Sequence, residues 1–128
     1  MFTIIDYRAD GLSIACIGSD IFANTITDAT DGGIVIFNGQ ISVHDNKIIS
    51  NTRTLLGGIN MVDSGVTTDY TGSVIANNLI ISNTSMIKIG IALGPQSWGA
   101  DNSTRTTGGT FVNNTLTSGS SGYFAFGS

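Results

Sequence analysis

Ser73–Leu93, SVIANNLIISNTSMIKIGIAL, decides how this chain is read. Ile75 precedes Asn78 by three positions, Ile80 follows it by two, and a loop then ends in Gly90-Ile91-x-Leu93. The same skeleton lies on either side. It recurs as IFANTI (Ile21, Asn24, Ile26), VHDNKI (Val43, Asn46, Ile48) and FVNNTL (Phe111, Asn114, Leu116). Four residues past each asparagine stand Asp28, Ser50, Ser82 and Ser118. Glycine-led strands repeat as Gly11-Leu12-x-Ile14, Gly33-Ile34-x-Ile36 and Gly58-Ile59-x-Met61, and Phe2 falls where one more asparagine is due. The anchors at 2, 24, 46, 78 and 114 are therefore spaced by 22, 22, 32 and 36 residues. A minimal unit with insertions is solenoid behaviour. The expected fold is all-β: one domain over residues 1–128, built as a coil of stacked short strands.

Composition agrees. Of 128 residues, 17 are Gly, one is Pro and only 11% are charged, which suits a packed domain rather than a disordered one. Ile, Val, Thr and Asn abound where helix formers are scarce. No window approaches the roughly 20 apolar residues of a membrane helix, and no signal-peptide pattern is present. A net charge of −4 argues against a nucleic-acid partner, which wants a basic face. Cys16 has no second cysteine to pair with, and its slot after the first strand predicts a buried structural thiol.

The asparagines carry a physical reading of their own. A tight corner needs left-handed backbone, which Asn tolerates better than other non-glycine residues. Stacked at equal positions, their amides can also bond from coil to coil. Asn24, Asn46, Asn78 and Asn114 are thus expected as a buried structural ladder rather than as ligand contacts.

Added length falls on one corner of the coil, as two inserted loops of roughly residues 63–72 and 94–109 that should lie side by side. They hold Asp63, Asp69, Tyr70, Trp98, Asp101 and Arg105, and solenoid insertions on one face are where binding tends to occur. Tyr70 and Trp98 have a plainer alternative, which is to pack the loops onto the coil. Asp63, Asp69 and Asp101 are candidate Ca²⁺ ligands if they converge, and simply solvated if they do not. His44 alone cannot build a zinc site, because the chain offers no second His and only one Cys. Gly57-Gly58 and Gly108-Gly109 lack the following helix and Lys of a phosphate loop. Asn83, Asn102 and Asn113 begin glycosylation sequons, which matter only in a secreted parent.

The repeating apolar-x-x-Asn-x-Ile followed by Gly-Ile-x-Ile resembles the right-handed parallel β-helix, the pectate-lyase-like fold, over essentially the whole chain. Residues 88–127, KIGIALGPQSWGADNSTRTTGGTFVNNTLTSGSSGYFAFG, are more narrowly similar to secreted fungal β-helix proteins that are mostly uncharacterised. The resemblance implies roughly four to five coils and an extracellular parent. The chain enters and leaves inside repeats, so a segment of a longer solenoid, with uncapped ends that pair end to end, is the expectation.

The family's polysaccharide hydrolases and lyases keep acids, Ca²⁺ ligands and a basic residue on the outward strand face. Here the outward row reads Ser13, Val35, Asn60, Ala92, none titratable, and the Asn-Thr-Asp, Asp-Asp and Gly-His-Gly motifs are missing. Three readings follow. A non-catalytic segment contacts polysaccharide through the Trp98 and Tyr70 loops. A structural element self-assembles through its ends. An enzyme takes its carboxylates from the loops, with Asp63, Asp69, Asp101 and Arg105 as the first residues to change. The order given is the order of preference, and no cofactor is expected.

Overall fold

The computed structural model describes residues 8–62, 67–98 and 105–126. Four coils follow one another, each with three strands. The first holds β1 (Leu12–Ile14), β2 (Asp20–Phe22) and β3 (Thr25–Thr27). The second holds β4 (Gly32–Ile36), β5 (Ser42–His44) and β6 (Lys47–Ser50). In the third are β7 (Leu55–Met61), β8 (Val74–Ala76) and β9 (Leu79–Ser82), and in the fourth β10 (Ile87–Leu93), β11 (Thr110–Val112) and β12 (Thr115–Ser118). β13 (Phe124–Phe126) opens a fifth. Equivalent strands stack in parallel, giving one sheet ordered β1-β4-β7-β10-β13 and two others ordered β2-β5-β8-β11 and β3-β6-β9-β12. The molecule is a parallel β-helix.

Register converts the sequence repeat into columns. Leu12, Ile34, Ile59 and Ile91 stack on the first sheet. Ile21, Val43, Ile75 and Phe111 do so on the second, and Ile26, Ile48, Ile80 and Leu116 on the third. The middle members of each column are completely buried. Fully burying one such side chain stabilises by about 1.5–3 kcal/mol, so the columns dominate the core. The strand glycine is explained by the opposite column. A Cβ on Gly58 would lie 2.5 Å from the Gly90 carbonyl oxygen and 2.9 Å from Ile80 Cγ2. Gly33 meets the Gly58 oxygen and Ile48 in the same way. The isoleucine of the third sheet fills the volume where a side chain would go.

The asparagine ladder is continuous. Asn24, Asn46 and Asn78 each donate their side-chain amide to the Oδ1 of the next, ending on Asn114, at 3.0, 3.0 and 2.9 Å. The left-handed corner, however, belongs to another residue. Ala23, Asp45, Asn77 and Asn113, each one position earlier, carry φ of 55°, 53°, 54° and 53°. The corner is turned before the ladder residue, which frees the asparagine to aim its amide along the coil axis.

Cys16 is also not where the sequence suggests, since it is exposed beyond the end of β1. Residues 1–6, read as part of an earlier repeat, lie outside the described residues.

Candidate functional site

The two inserted loops do run side by side. Tyr70 donates its backbone N–H to the Thr107 carbonyl at 2.8 Å, and Thr107 returns one to Thr68 at 2.8 Å. Gly108 carries φ of 86° and has no room for a side chain against the Thr71 backbone, which is why the contact is so close. Among the described residues, however, the loop candidates go to different places. Tyr70 is 0% exposed, and its hydroxyl lies 2.9 Å from the Ile36 carbonyl and 2.7 Å from that of Val62. It packs the first loop onto the coil.

Asp69 faces outward on the other side, in a small hollow with Asn38, Gln40 and Thr67. Hydrogen bonds from the Thr71 side chain and then its backbone N–H hold the Asp69 carboxyl below its usual range. Arg105 is exposed, and Asp63 and Asp101 lie outside the described residues. Among the described residues, no cluster of three His, Cys, Asp or Glu side chains is arranged to hold a metal ion.

Trp98 goes elsewhere. Gly94, at φ of 78°, turns the chain out of β10 into a short 3-10 turn, Pro95–Trp98. The turn sets the indole, 39% exposed, at the rim of a cleft over the outer face of the first sheet. That cleft has a volume of about 480 Å³ and is walled by Asp10, Asp31, Phe37, Leu56, Val62 and Trp98. Its floor includes Val35 and Asn60. The outward row expected to be open is therefore sheltered: Val35, Asn60 and Ala92 are only 6%, 5% and 2% exposed.

Asn60 is the unusual member. Its Oδ1 is buried without a hydrogen-bond partner, one of two such side-chain atoms among the described residues. Such a group costs about 1–3 kcal/mol to leave unpaired, so its retention asks for an explanation. Its amide has been given room by two glycines. A Cβ on Gly57 would collide with Asn60 Oδ1, and one on Gly32 would lie 2.8 Å from Nδ2 and 3.1 Å from Asp10 Oδ1. Amide and carboxylate close over the same glycine. Asp10 is itself fixed, accepting from the Gly32 N–H at 2.9 Å and from the Ser13 hydroxyl at 2.6 Å.

The cleft is thus walled by two acidic residues, Asp10 and Asp31, over a floor that holds the Asn60 amide, beside an indole. Neither Asp10 nor Asp31 stands on the outward strand row where carboxylates are expected. They enter from the corner before the strand, and the signal is the acid ahead of the strand glycine in Asp10-Gly11 and Asp31-Gly32-Gly33.

Of the glycosylation sequons, Asn83 donates its side-chain amide to Asn51 Oδ1 at 2.7 Å, Asn113 is exposed at a corner, and Asn102 lies outside the described residues. No helix of the described residues is long and apolar enough to cross a membrane.

Compared with protein-family models, curated protein sequences and solved structures, the chain matches none.

Proposed function

We propose that this β-helix is a carbohydrate-contacting segment, with the cleft over its first sheet as the contact surface. The observation that carries the reading is the exposed indole of Trp98 at the rim of a cleft walled by Asp10 and Asp31, with the Asn60 side chain in its floor. A ligand rich in hydroxyl donors suits the acidic walls, and the flat apolar face of Trp98 suits the faces of sugar rings. A pectate-lyase-like origin and an extracellular parent belong to the same proposal. Their support is the resemblance of the repeat pattern to the pectate-lyase-like fold and of residues 88–127 to secreted fungal β-helix proteins. The reading is a binding one, because it needs only acceptors and an aromatic face.

Affinity electrophoresis against a panel of soluble polysaccharides tests it. At least one polysaccharide should retard the protein, and Trp98→Ala and Asn60→Ala should each abolish the shift without lowering the melting temperature by more than a few degrees. If no polysaccharide retards the chain, or if Trp98→Ala is retarded equally, the reading fails.

A second reading, end-to-end association, draws on Phe111. It belongs to the inward column of Ile21, Val43 and Ile75, yet it is 40% exposed. Among the described residues, the outermost strands of each sheet pair along one edge only, and unpaired strand edges recruit other strands. Light scattering from micromolar to millimolar protein tests this, and a constant monomer mass rules it out.

A further inference from the structure

The acceptor-lined cleft is not isolated. A second groove, of about 600 Å³, adjoins it at Leu56, which lines both. Its walls include Arg8, Arg53 and Lys88, three of the chain's five Lys and Arg. In a protein of net charge −4, gathering most of the cations in one groove sets up a local field opposite to that of the whole chain. The register shows how close the two signs come. Lys88 and Leu56 are partners between β10 and β7, and Leu56 donates its N–H to the Asp31 carbonyl at 3.0 Å. Asp31, Leu56 and Lys88 thus stand in one cross-strand row, its ends about 10 Å apart at the usual strand spacing. Only a half-buried leucine separates the acidic wall from the basic one.

Resting on the carbohydrate reading, we infer that the ligand is a saccharide of mixed charge. Its unit over Asn60 bears hydroxyl or amide donors and no negative charge, and a carboxylate or sulfate on the same ligand reaches past Leu56 to Arg53 and Lys88. The cleft itself rejects an acid. An anionic unit there meets Asp10 and Asp31 with no cation among the lining residues, and like charges brought together in a sheltered site cost more than they do in water. The basic groove supplies what the cleft lacks, with Arg53 able to take a carboxylate or sulfate through two parallel hydrogen bonds. A polymer carrying an acid on every unit fits only one half of the surface, and a neutral polymer forgoes the other.

Calorimetric titration with three hexasaccharides tests this: neutral β-1,4-glucose, galacturonate, and an alternating uronate–N-acetylhexosamine chain. The alternating chain should bind at least ten-fold more tightly than either of the others. The Arg53→Gln/Lys88→Gln double variant, changed only at exposed side chains, should lower that affinity about ten-fold and leave the neutral hexamer's unchanged. Tightest binding of galacturonate, or equal affinity of the double variant for the alternating chain, overturns the inference while leaving carbohydrate binding standing. If none of the three binds, and polysaccharides fail to retard the protein as well, it is the carbohydrate reading that falls.

Discussion

The side-chain oxygen of Asn78 accepts two hydrogen bonds from Asn46, one from its backbone N–H and one from its amide, both at 3.0 Å. Asn78 in turn donates to the Val43 carbonyl at 2.9 Å and to Asn114 Oδ1 at 2.9 Å. Every polar atom of this buried amide is therefore spoken for, and its removal strands partners on both neighbouring coils. Asn78→Leu should lose on the order of 4 kcal/mol, several buried groups being left unpaired at once. Asn24, half-buried at the first rung, should lose only about 1 kcal/mol as Asn24→Leu. Urea unfolding of both variants checks this. Equal losses at the two positions would show that the rungs act singly rather than as a ladder.

The ladder was legible in the sequence because the repeat brings chemically identical residues to identical positions, and a solenoid stacks what it repeats. Its columns of Ile, its glycine slots and its two side-by-side loops follow from the same logic. What did not follow was anything decided within a coil rather than between coils. Ala23 and Asp45 hold the left-handed corner despite being neither Gly nor Asn, because the ladder bonds beside them fix the backbone there whatever the side chain. Cys16 is exposed because its slot lies past the end of β1, outside the core; Asn38, in register with it one coil on, is only half-buried as well. The cleft was half legible. Asn60 and Trp98 stood out as an outward position and a loop aromatic, but only the folded coil shows that the 3-10 turn carries the indole back over the sheet, and that Asp10 and Asp31 enter from the corner.

Gly58 offers a test of how tightly the third sheet closes on the first. The nearest obstacle to a methyl there is the Gly90 carbonyl oxygen at 2.5 Å, a backbone atom that cannot swing aside. Gly58→Ala should therefore cost about 1–3 kcal/mol, the usual penalty of overpacking. Gly18 makes the contrast. It has φ of 72° but open space around it, so Gly18→Ala should cost only the backbone strain, about 1–2 kcal/mol. Thermal melts of Gly58→Ala, Gly18→Ala and the milder Gly18→Asn separate the two causes. Recovery of stability in Gly18→Asn, with none in a polar substitution at Gly58, is the expected pattern.

Tyr70 separates packing from ligand contact. Its hydroxyl ties the first inserted loop to the Ile36 and Val62 carbonyls. Tyr70→Phe keeps the ring and its burial but removes that link, so it should cost about 1–2 kcal/mol in urea unfolding. Polysaccharide retardation should be untouched at temperatures well below the transition. A loss of retardation with no loss of stability would instead put Tyr70 in the binding surface.

His44 gives the chain a pH-dependent term. Its ring stacks on Phe22 with centroids 5.3 Å apart and planes 5° from parallel. Nδ1 lies 2.7 Å from Asp45 Oδ2, and Nε2 lies 3.0 Å from Asp20 Oδ1. The hydrogen bond to Asp45, and then the bond and charge of Asp20, raise its pKa above the ordinary 6.5 despite some desolvation. The folded state therefore binds the proton more tightly than the unfolded one. The resulting stabilisation is fully present below pH 6.5, while both carboxylates stay ionised, and is lost as pH rises through the raised value. Wild type should accordingly exceed His44→Gln in stability by more at pH 6 than at pH 8.5, when both are unfolded in urea. A gap that is the same at the two pH values would mean that the stack on Phe22, not the charge between the two aspartates, is what His44 contributes.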